Sequence, residues 1–337
     1  MAACRNVMRS GAMPTCQAQP LGPTNVNVAS RSTQRAHRCR LPGLTGKTGQ
    51  SSLVGCKVKL PRLHRNRHRT VTSASLSNII TEIPSAIISP TPGVLAGVLV
   101  NSTVYLLGIK VLLAGLTPAG VAHSWFLGSV VYAAFGPSGY LLVCLYFVLG
   151  SAVTKLKLEQ KQAEGIAEAR SGRRPPASVW GSGIAAVACG LAALLTPPDL
   201  LPMWRMGFVA SLASKLNDTT ASEVGKAFGQ TTYLSTTFRR VPRGTEGAVS
   251  LEGTAAGAAA GAAFAAIALL TGQVDLGGAL IVVVAAFFAN TFESMLGATV
   301  QGRLEWLTND LVNMLQICVA ALISIGLYQL FPGGGVL

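Results

Sequence analysis

Apolar stretches of roughly twenty residues recur along this chain from about residue 93 onward, and they leave it few choices of fold. A helix of that length spans the hydrocarbon core of a bilayer. Inside lipid every backbone N–H and C=O must find its partner within the protein, which helices do segment by segment. The spans are expected at about 93–114, 120–135, 138–154, 179–196, 201–222, 249–271, 276–298 and 309–331. The second is short enough to be a re-entrant or interfacial piece, so seven or eight spans are expected. The fold class is therefore all-α, a polytopic membrane helix bundle. Pro137, between Gly136 and Gly139, marks the turn after the second span. Pro175–Pro176 and Pro197–Pro198 mark loop ends, where a missing N–H costs least. Gly253, Gly257 and Gly261 repeat at intervals of four, the small-xxx-small pattern that lets membrane helices approach closely. The charged stretch 155–174 is rich in good helix formers and is expected to carry the third span beyond the membrane surface.

The net charge of +14 belongs almost wholly to the start of the chain. Residues 1–81 hold thirteen of the 27 Lys and Arg and no Asp or Glu. An Arg-, Ser- and Thr-rich leader without acids or a long apolar run reads as an organelle transit peptide, placed at 1–75. The alternative is a basic arm that binds RNA or anionic lipid. The opening MAAC and the hydroxyl-rich stretch after it lean toward a plastid. What remains, 76–337, is close to neutral, so the basic balance gives no reason to expect nucleic acid as a partner of the folded protein.

Loop charge sets the topology. Counting from 155–178, the loops at 155–178, 223–248 and 299–308 share one face, and they carry Lys155, Lys157, Lys161, Lys226, Arg239, Arg240 and Arg243 among others. The loops near 197–201 and 272–277 carry no Lys or Arg, an asymmetry that follows the positive-inside rule. Orientation alone would explain the bases but not the acids. Asp218, Glu223, Glu246, Glu252, Glu293, Glu305 and Asp310 all fall in or near the basic face. Asn290 and Glu293 stand three apart, as do Asp310 and Asn313, while Asp218 and Ser222 stand four apart, so each pair shares a helix side. One reading is a structural network of ion pairs tying helix ends together. The other is a hard-cation site of the Mg²⁺ type, with phosphates as the remaining ligands.

At these residues the chain resembles a known family. NDTTASEVGKAFG, TTFRRVPRGTEGAVSLEGTAAG, FESMLGA and TNDLVNMLQI, with the charged loop KLEQKQAEGIAEARSGRRPPASVWGS, are similar to the plastid phytyl-phosphate kinases of the vitamin E pathway and their wider family of small integral membrane proteins. The likeness covers nearly all of the chain after about residue 85. A fainter one, from the Asp through Gly225 and Gly229 to the Thr-Glu-Gly at 245–247, is to membrane kinases and cytidylyltransferases that use CTP on lipids. The resemblance implies phosphoryl transfer from a nucleoside triphosphate, CTP first among them, to phytyl monophosphate. The product would be phytyl diphosphate for tocopherol and phylloquinone synthesis. It also implies a chloroplast membrane, envelope or thylakoid. The family's motif positions here are Asp218, Ser222, Glu223, Gly225, Pro242, Gly244, Thr245, Gly247, Ser250, Gly253, Glu293, Asn309, Asp310 and Asn313. Asn217 departs from the pattern, standing where a small or Ser-like residue is expected.

The expected roles follow the chemistry. Phosphoryl transfer is mostly positioning and charge neutralisation. A phosphomonoester acceptor is already largely dianionic at neutral pH, so no general base is needed. Asp218 and Glu223, with Glu293 or Asp310, are expected to hold Mg²⁺. Arg243 is expected to act on the transferring phosphate, with Arg239, Arg240 and Lys226 gripping phosphate oxygens. Gly244 and Gly247 would let backbone N–H groups approach closely, flanked by Thr245, Ser250 and Asn313. The phytyl chain would lie among the apolar helices, reached from the bilayer. Two rivals share these features: a cytidylyltransferase making a CDP-lipid, and a transporter of an anion or lipid, for which the expected internal repeat is missing. Other signals carry little. Gly46-Lys47-Thr48 lacks the leading glycine of a phosphate-binding loop, no CxxC occurs, and Cys144, Cys189 and Cys318 stand singly in apolar spans.

Overall fold

A computed structural model of the chain describes residues 87–168, 172–300, 304 and 306–331. The segment 1–75, expected to be a transit peptide, lies outside the described residues. All of these fall in one compact unit, Arg69–Leu337. Its elements are α1 (Val94–Gly115), α2 (Pro118–Thr154), the short α3 (Leu158–Ala163), α4 (Pro176–Leu195), α5 (Leu201–Phe228), strands β1 (Thr232–Leu234) and β2 (Ala248–Ser250), α6 (Leu251–Leu270), α7 (Leu276–Thr299) and α8 (Asn309–Leu330). The expected helix bundle is present. Six of the helices are long and apolar enough to cross a membrane by length and composition, α5 being excluded by its charges.

The 37-residue α2 is a hairpin of two spans. Thr117 caps its start, and Thr117 N–H donates to the Arg174 carbonyl at 3.1 Å. Near its other end, a Cβ on Gly150 would lie 2.7 Å from Arg174 Nη2. The midpoint instead meets Gln273, which donates to the Phe135 carbonyl at 3.1 Å and to Ser138 Oγ at 2.6 Å. Both ends thus share one face of the bundle, and the bend sits on the other. The bend is Gly136, at φ 68°, a left-handed value that suits glycine, with Pro137 behind it to forbid the next helical hydrogen bond. With the two arms of α2 and with α5, eight segments cross the bundle. The expected continuation of the third span does not form. The helix ends at Thr154, Lys157 turns left-handed at φ 46°, and α3 starts afresh.

Polar side chains join the outer spans. Asn101 on α1 is fully buried; it donates to the Trp125 carbonyl at 2.7 Å and to Ser129 Oγ at 3.0 Å, and accepts from Tyr140 at 2.7 Å. In lipid such a closed set leaves no unsatisfied amide.

The centre of the bundle is α5, packed against α2, α4, α6, α7 and α8. Every residue from Met206 to Asp218 is buried. The helix with the most charge is thus the one kept furthest from lipid, because a charge facing hydrocarbon costs several kcal/mol. The glycine repeat of α6 packs on it. A Cβ on Gly257 would meet Asn217 O at 2.7 Å and Ala221 Cβ at 2.8 Å. The loops at 155–178 and 223–248, expected on one face, lie there together with the end of α7. Arg243 pairs with Glu164, Ser235 donates to the Ser294 carbonyl at 2.9 Å, and β1 and β2 form an antiparallel ribbon across that end.

The close approach of α5 and α6 sets an expectation. Gly257→Ala lowers stability in detergent by about 1–3 kcal/mol, since backbone must move. Gly108→Ala, with nothing within 4 Å of its Cβ, is neutral or slightly stabilising, because alanine favours helix over glycine. Paired thermal melts check this; equal effects at both sites would contradict the packing described.

Candidate active site

A polar cavity of about 290 Å³ opens on the charged face, between the last turns of α5, the 229–250 ribbon, and the near ends of α6, α7 and α8. The α5 wall is a stripe. Lys215, Asp218, Thr219, Ser222 and Lys226 line it, each three or four residues from another of them on one helix side. Lys215 Nζ lies 2.5 Å from Asp218 Oδ2, and both side chains are buried. From α7 come Asn290, Glu293 and Ser294, and from α8 Asn309 and Asn313. The ribbon adds Gly244, Thr245, Glu246 and Gly247, and Ser250 closes the wall.

Local structure explains why the ribbon fits. Gly247 takes φ 70° and sits so close to α7 that a Cβ would lie 2.6 Å from the Ser294 carbonyl. Gly244, at φ 84°, would place a Cβ 2.6 Å from Ile166. Both positions exclude side chains by conformation and by space. Thr245 Oγ1 donates to the Pro242 carbonyl at 2.7 Å, pinning the turn between them. Ser250 Oγ accepts from Gly253 N–H at 3.1 Å and caps α6. Two helices, α6 and α8, therefore start at the cavity wall, and their N-termini favour bound anions.

Of the sequence-predicted residues, Asp218, Glu293, Lys226, Gly244, Thr245, Gly247, Ser250 and Asn313 all line this cavity. Five do not. Glu223 is buried, turned away, and ion-paired with Lys161 and, at 3.2 Å, with Lys226. Lys161 also donates to the Thr154 carbonyl at 2.9 Å, so Glu223 fastens α3 and the end of α2 to α5. A carboxylate holding two ammonium groups inside the protein has structural work and no open face for a metal. Arg243 is likewise engaged. Its Nη2 contacts both oxygens of Glu164 at 2.9 and 2.8 Å, and its Nη1 donates to the Lys226 carbonyl at 3.1 Å. Arg239 and Arg240 are exposed on the outer edge of the ribbon, away from the lining. Asp310 is in the first turn of α8, packed by its backbone against Gly181 of α4. The expected set of Asp218 and Glu223 with Glu293 or Asp310 is thus not assembled; of these only Asp218 and Glu293 line the cavity. Among the described residues no three His, Cys, Asp or Glu side chains converge as metal ligands.

Lys215, Thr219, Asn290 and Ser294 complete the site without having been assigned a role. The signal for two of them was present in the spacing of Lys215 and Thr219 relative to Asp218 and Ser222. Four acids, Glu168, Asp218, Glu246 and Glu293, face two lysines, so the cavity carries an excess of negative charge. Glu293 has no ion-pair or hydrogen-bond partner among the described residues, and Asp218 leaves one oxygen open.

Residues 101–321 match the family described as Integral membrane protein DUF92. The chain belongs to the DUF92 integral membrane protein family. The matched region contains the whole polar cavity. Among relatives of this DUF92 protein, an uncharacterized membrane protein of Synechocystis sp. is 48% identical over 69% of this chain and 90% of its own length. Protein VTE6, chloroplastic, of Arabidopsis thaliana is 41% identical over 77% of this chain and 79% of its own. An uncharacterized membrane protein of Methanocaldococcus jannaschii is 27% identical over 62% and 84%. No solved structure matches.

The geometry separates fastening residues from lining ones. Glu223→Gln leaves Lys161 buried without its partner and lowers stability by about 3–5 kcal/mol. Arg243→Lys, at a half-exposed pair, costs less than about 1 kcal/mol and leaves turnover within about twofold. Melting temperature and kcat/KM, measured on the same preparations, decide; a large kinetic loss at Arg243 with unchanged melting would return it to the site.

Proposed function

We propose that this protein transfers the γ-phosphoryl group of a nucleoside triphosphate, CTP first among the candidates, to phytyl monophosphate, giving phytyl diphosphate for tocopherol synthesis. The observation that carries the reading is the cavity itself. A negatively charged, glycine-walled pocket at the loop face of a membrane bundle repels a bare polyphosphate and accepts one brought with a cation. The kinship with Protein VTE6, chloroplastic, and the motif likeness at Asp218, Gly244–Gly247 and Asn309–Asn313 support the pathway and a plastid membrane. The basic leader supports the same address.

Asp218 and Glu293 fit Mg²⁺, which is commonly held by one or two carboxylates plus substrate phosphates and water; it would neutralise the β- and γ-oxygens. The chain's own groups do the rest. Asp218 orients Lys215, fixing an ammonium where the transferring phosphoryl group carries its charge. Lys226 supplies a second cation at the mouth. Gly244 and Gly247, which carry no Cβ, let the turn bring backbone near the phosphates, and Asn290 and Asn313 offer amide donors. A phosphate oxygen of the lipid attacks the γ-phosphorus, the bond to the β,γ-bridging oxygen breaks, and the nucleoside diphosphate leaves with that electron pair. The attacking dianion has no proton to lose, so the lack of a histidine in the lining is consistent with the chemistry.

Purified protein with phytyl phosphate and labelled CTP tests this. Label from the γ-phosphate appears on the lipid, and Asp218→Asn reduces it by about a hundredfold or more, as for loss of a charged group acting in the transition state. Cytidine label on the lipid would mean a cytidylyltransferase, and no transfer of either would remove the kinase reading.

A further inference from the structure

Deeper along α6 and α7, a second cavity of about 210 Å³ lies between those helices, lined by Ala258, Gly261, Ala262, Val283 and Phe287 with Asn217 at its inner end. Its character is apolar, and Val284, Phe287 and Phe288 are 43–57% exposed at its rim, where lipid would stand. Asn217 closes the inner end by accepting from Asn290 Nδ2 at 3.2 Å, and Asn290 itself lines the polar cavity. One amide pair therefore links the linings of the two spaces.

The walls are continuous as well. On α6, Ala262, Ala258 and Thr254 succeed one another at intervals of four; the first two line the apolar space and Thr254 the polar one. On α7, Val283 and Phe287 line the apolar space, and Asn290 and Ser294 the polar one. Val283 to Ser294 spans about 16 Å at 1.5 Å per residue. Small residues of α6, Ala258, Gly261 and Ala262, leave room for the apolar part, and the Asn217–Asn290 pair separates it from the polar part. The groove is oily at the bilayer end and ends beside Asp218 and Glu293, so charge and polarity change together along it.

We propose that the α6–α7 groove holds the isoprenoid tail of the lipid monophosphate, admitted sideways from the bilayer so that its phosphate stops at Asn290. This rests on the kinase reading above. A single branched hydrocarbon chain with an anionic end matches the apolar lining and the placement of the charged site at one end only. The other large apolar cavity, about 280 Å³ between α1, α2 and α4, ends instead at Arg174, whose guanidinium donates to Tyr146 at 3.3 Å.

A phytyl monophosphate analogue carrying a diazirine on its tail, photolysed with the full protein in nanodiscs, maps the occupant by mass spectrometry. Adducts are expected on 258–262 and 283–288, and phytyl phosphate should compete them away. Ala262→Phe, an exposed position that tolerates bulk, should raise KM for phytyl phosphate about tenfold, leave KM for nucleotide unchanged, and hardly affect a ten-carbon acceptor. Adducts around Gly108 and Val143, or an Ala262→Phe enzyme with unchanged KM for phytyl phosphate, would overturn the proposal. If wild-type protein phosphorylates no isoprenyl phosphate yet is labelled on α6 and α7, the groove stands as a lipid-phosphate site and the kinase reading falls.

Discussion

Everything in this molecule turns on keeping the charges of α5 out of hydrocarbon. Arg205, Lys215, Asp218, Glu223 and Lys226 would make a poor lone membrane span. The remaining helices solve this by surrounding it. The glycine face of α6 lies against Asn217 and Ala221, α8 reaches in with Gln316, whose amide donates to Ser214 Oγ at 3.1 Å, and Phe208 stacks on Phe135 of α2. Once α5 is enclosed, its polar side finds partners at the end where the charged loops are, and the cavity forms there.

Two classes of charge emerge, divided by which side of α5 they occupy. Lys215 and Asp218 face the cavity with a carboxylate oxygen to spare. Glu223 faces the protein and joins α3 to the bundle through Lys161. The ribbon is held to the same frame by Arg243–Glu164 and by Gly247 against α7. Rigid fastening around an under-neutralised pocket is what phosphoryl transfer requires, because the catalytic contribution is the fixed position of charge.

The sequence made the spans legible because lipid imposes length and apolarity on each of them separately. Even the hairpin at Gly136–Pro137 could be read, since those two residues have strong local meanings. The glycine turn at 244–247 was legible for the same reason. The arginines were not. Arg243 and Glu164 are 79 residues apart, and nothing local reveals that the guanidinium is already spoken for. Glu223 was legible in principle: five residues from Asp218 is about 140° around a helix of 3.6 residues per turn, so the two cannot share a face. The break at Lys157 and the β1–β2 ribbon follow from tertiary contacts at the loop face, which override the helix-forming composition of 155–174.

Asp218 and Glu293 are proposed to accept a nucleotide only together with a divalent cation. Isothermal titration of CTP into the purified protein, with and without Mg²⁺, addresses it directly, repeated on Glu293→Gln. The account predicts binding that needs Mg²⁺ and weakens at least about tenfold in the variant, the loss of a charge-assisted contact. Equal CTP affinity with and without Mg²⁺, unchanged by Glu293→Gln, would contradict it.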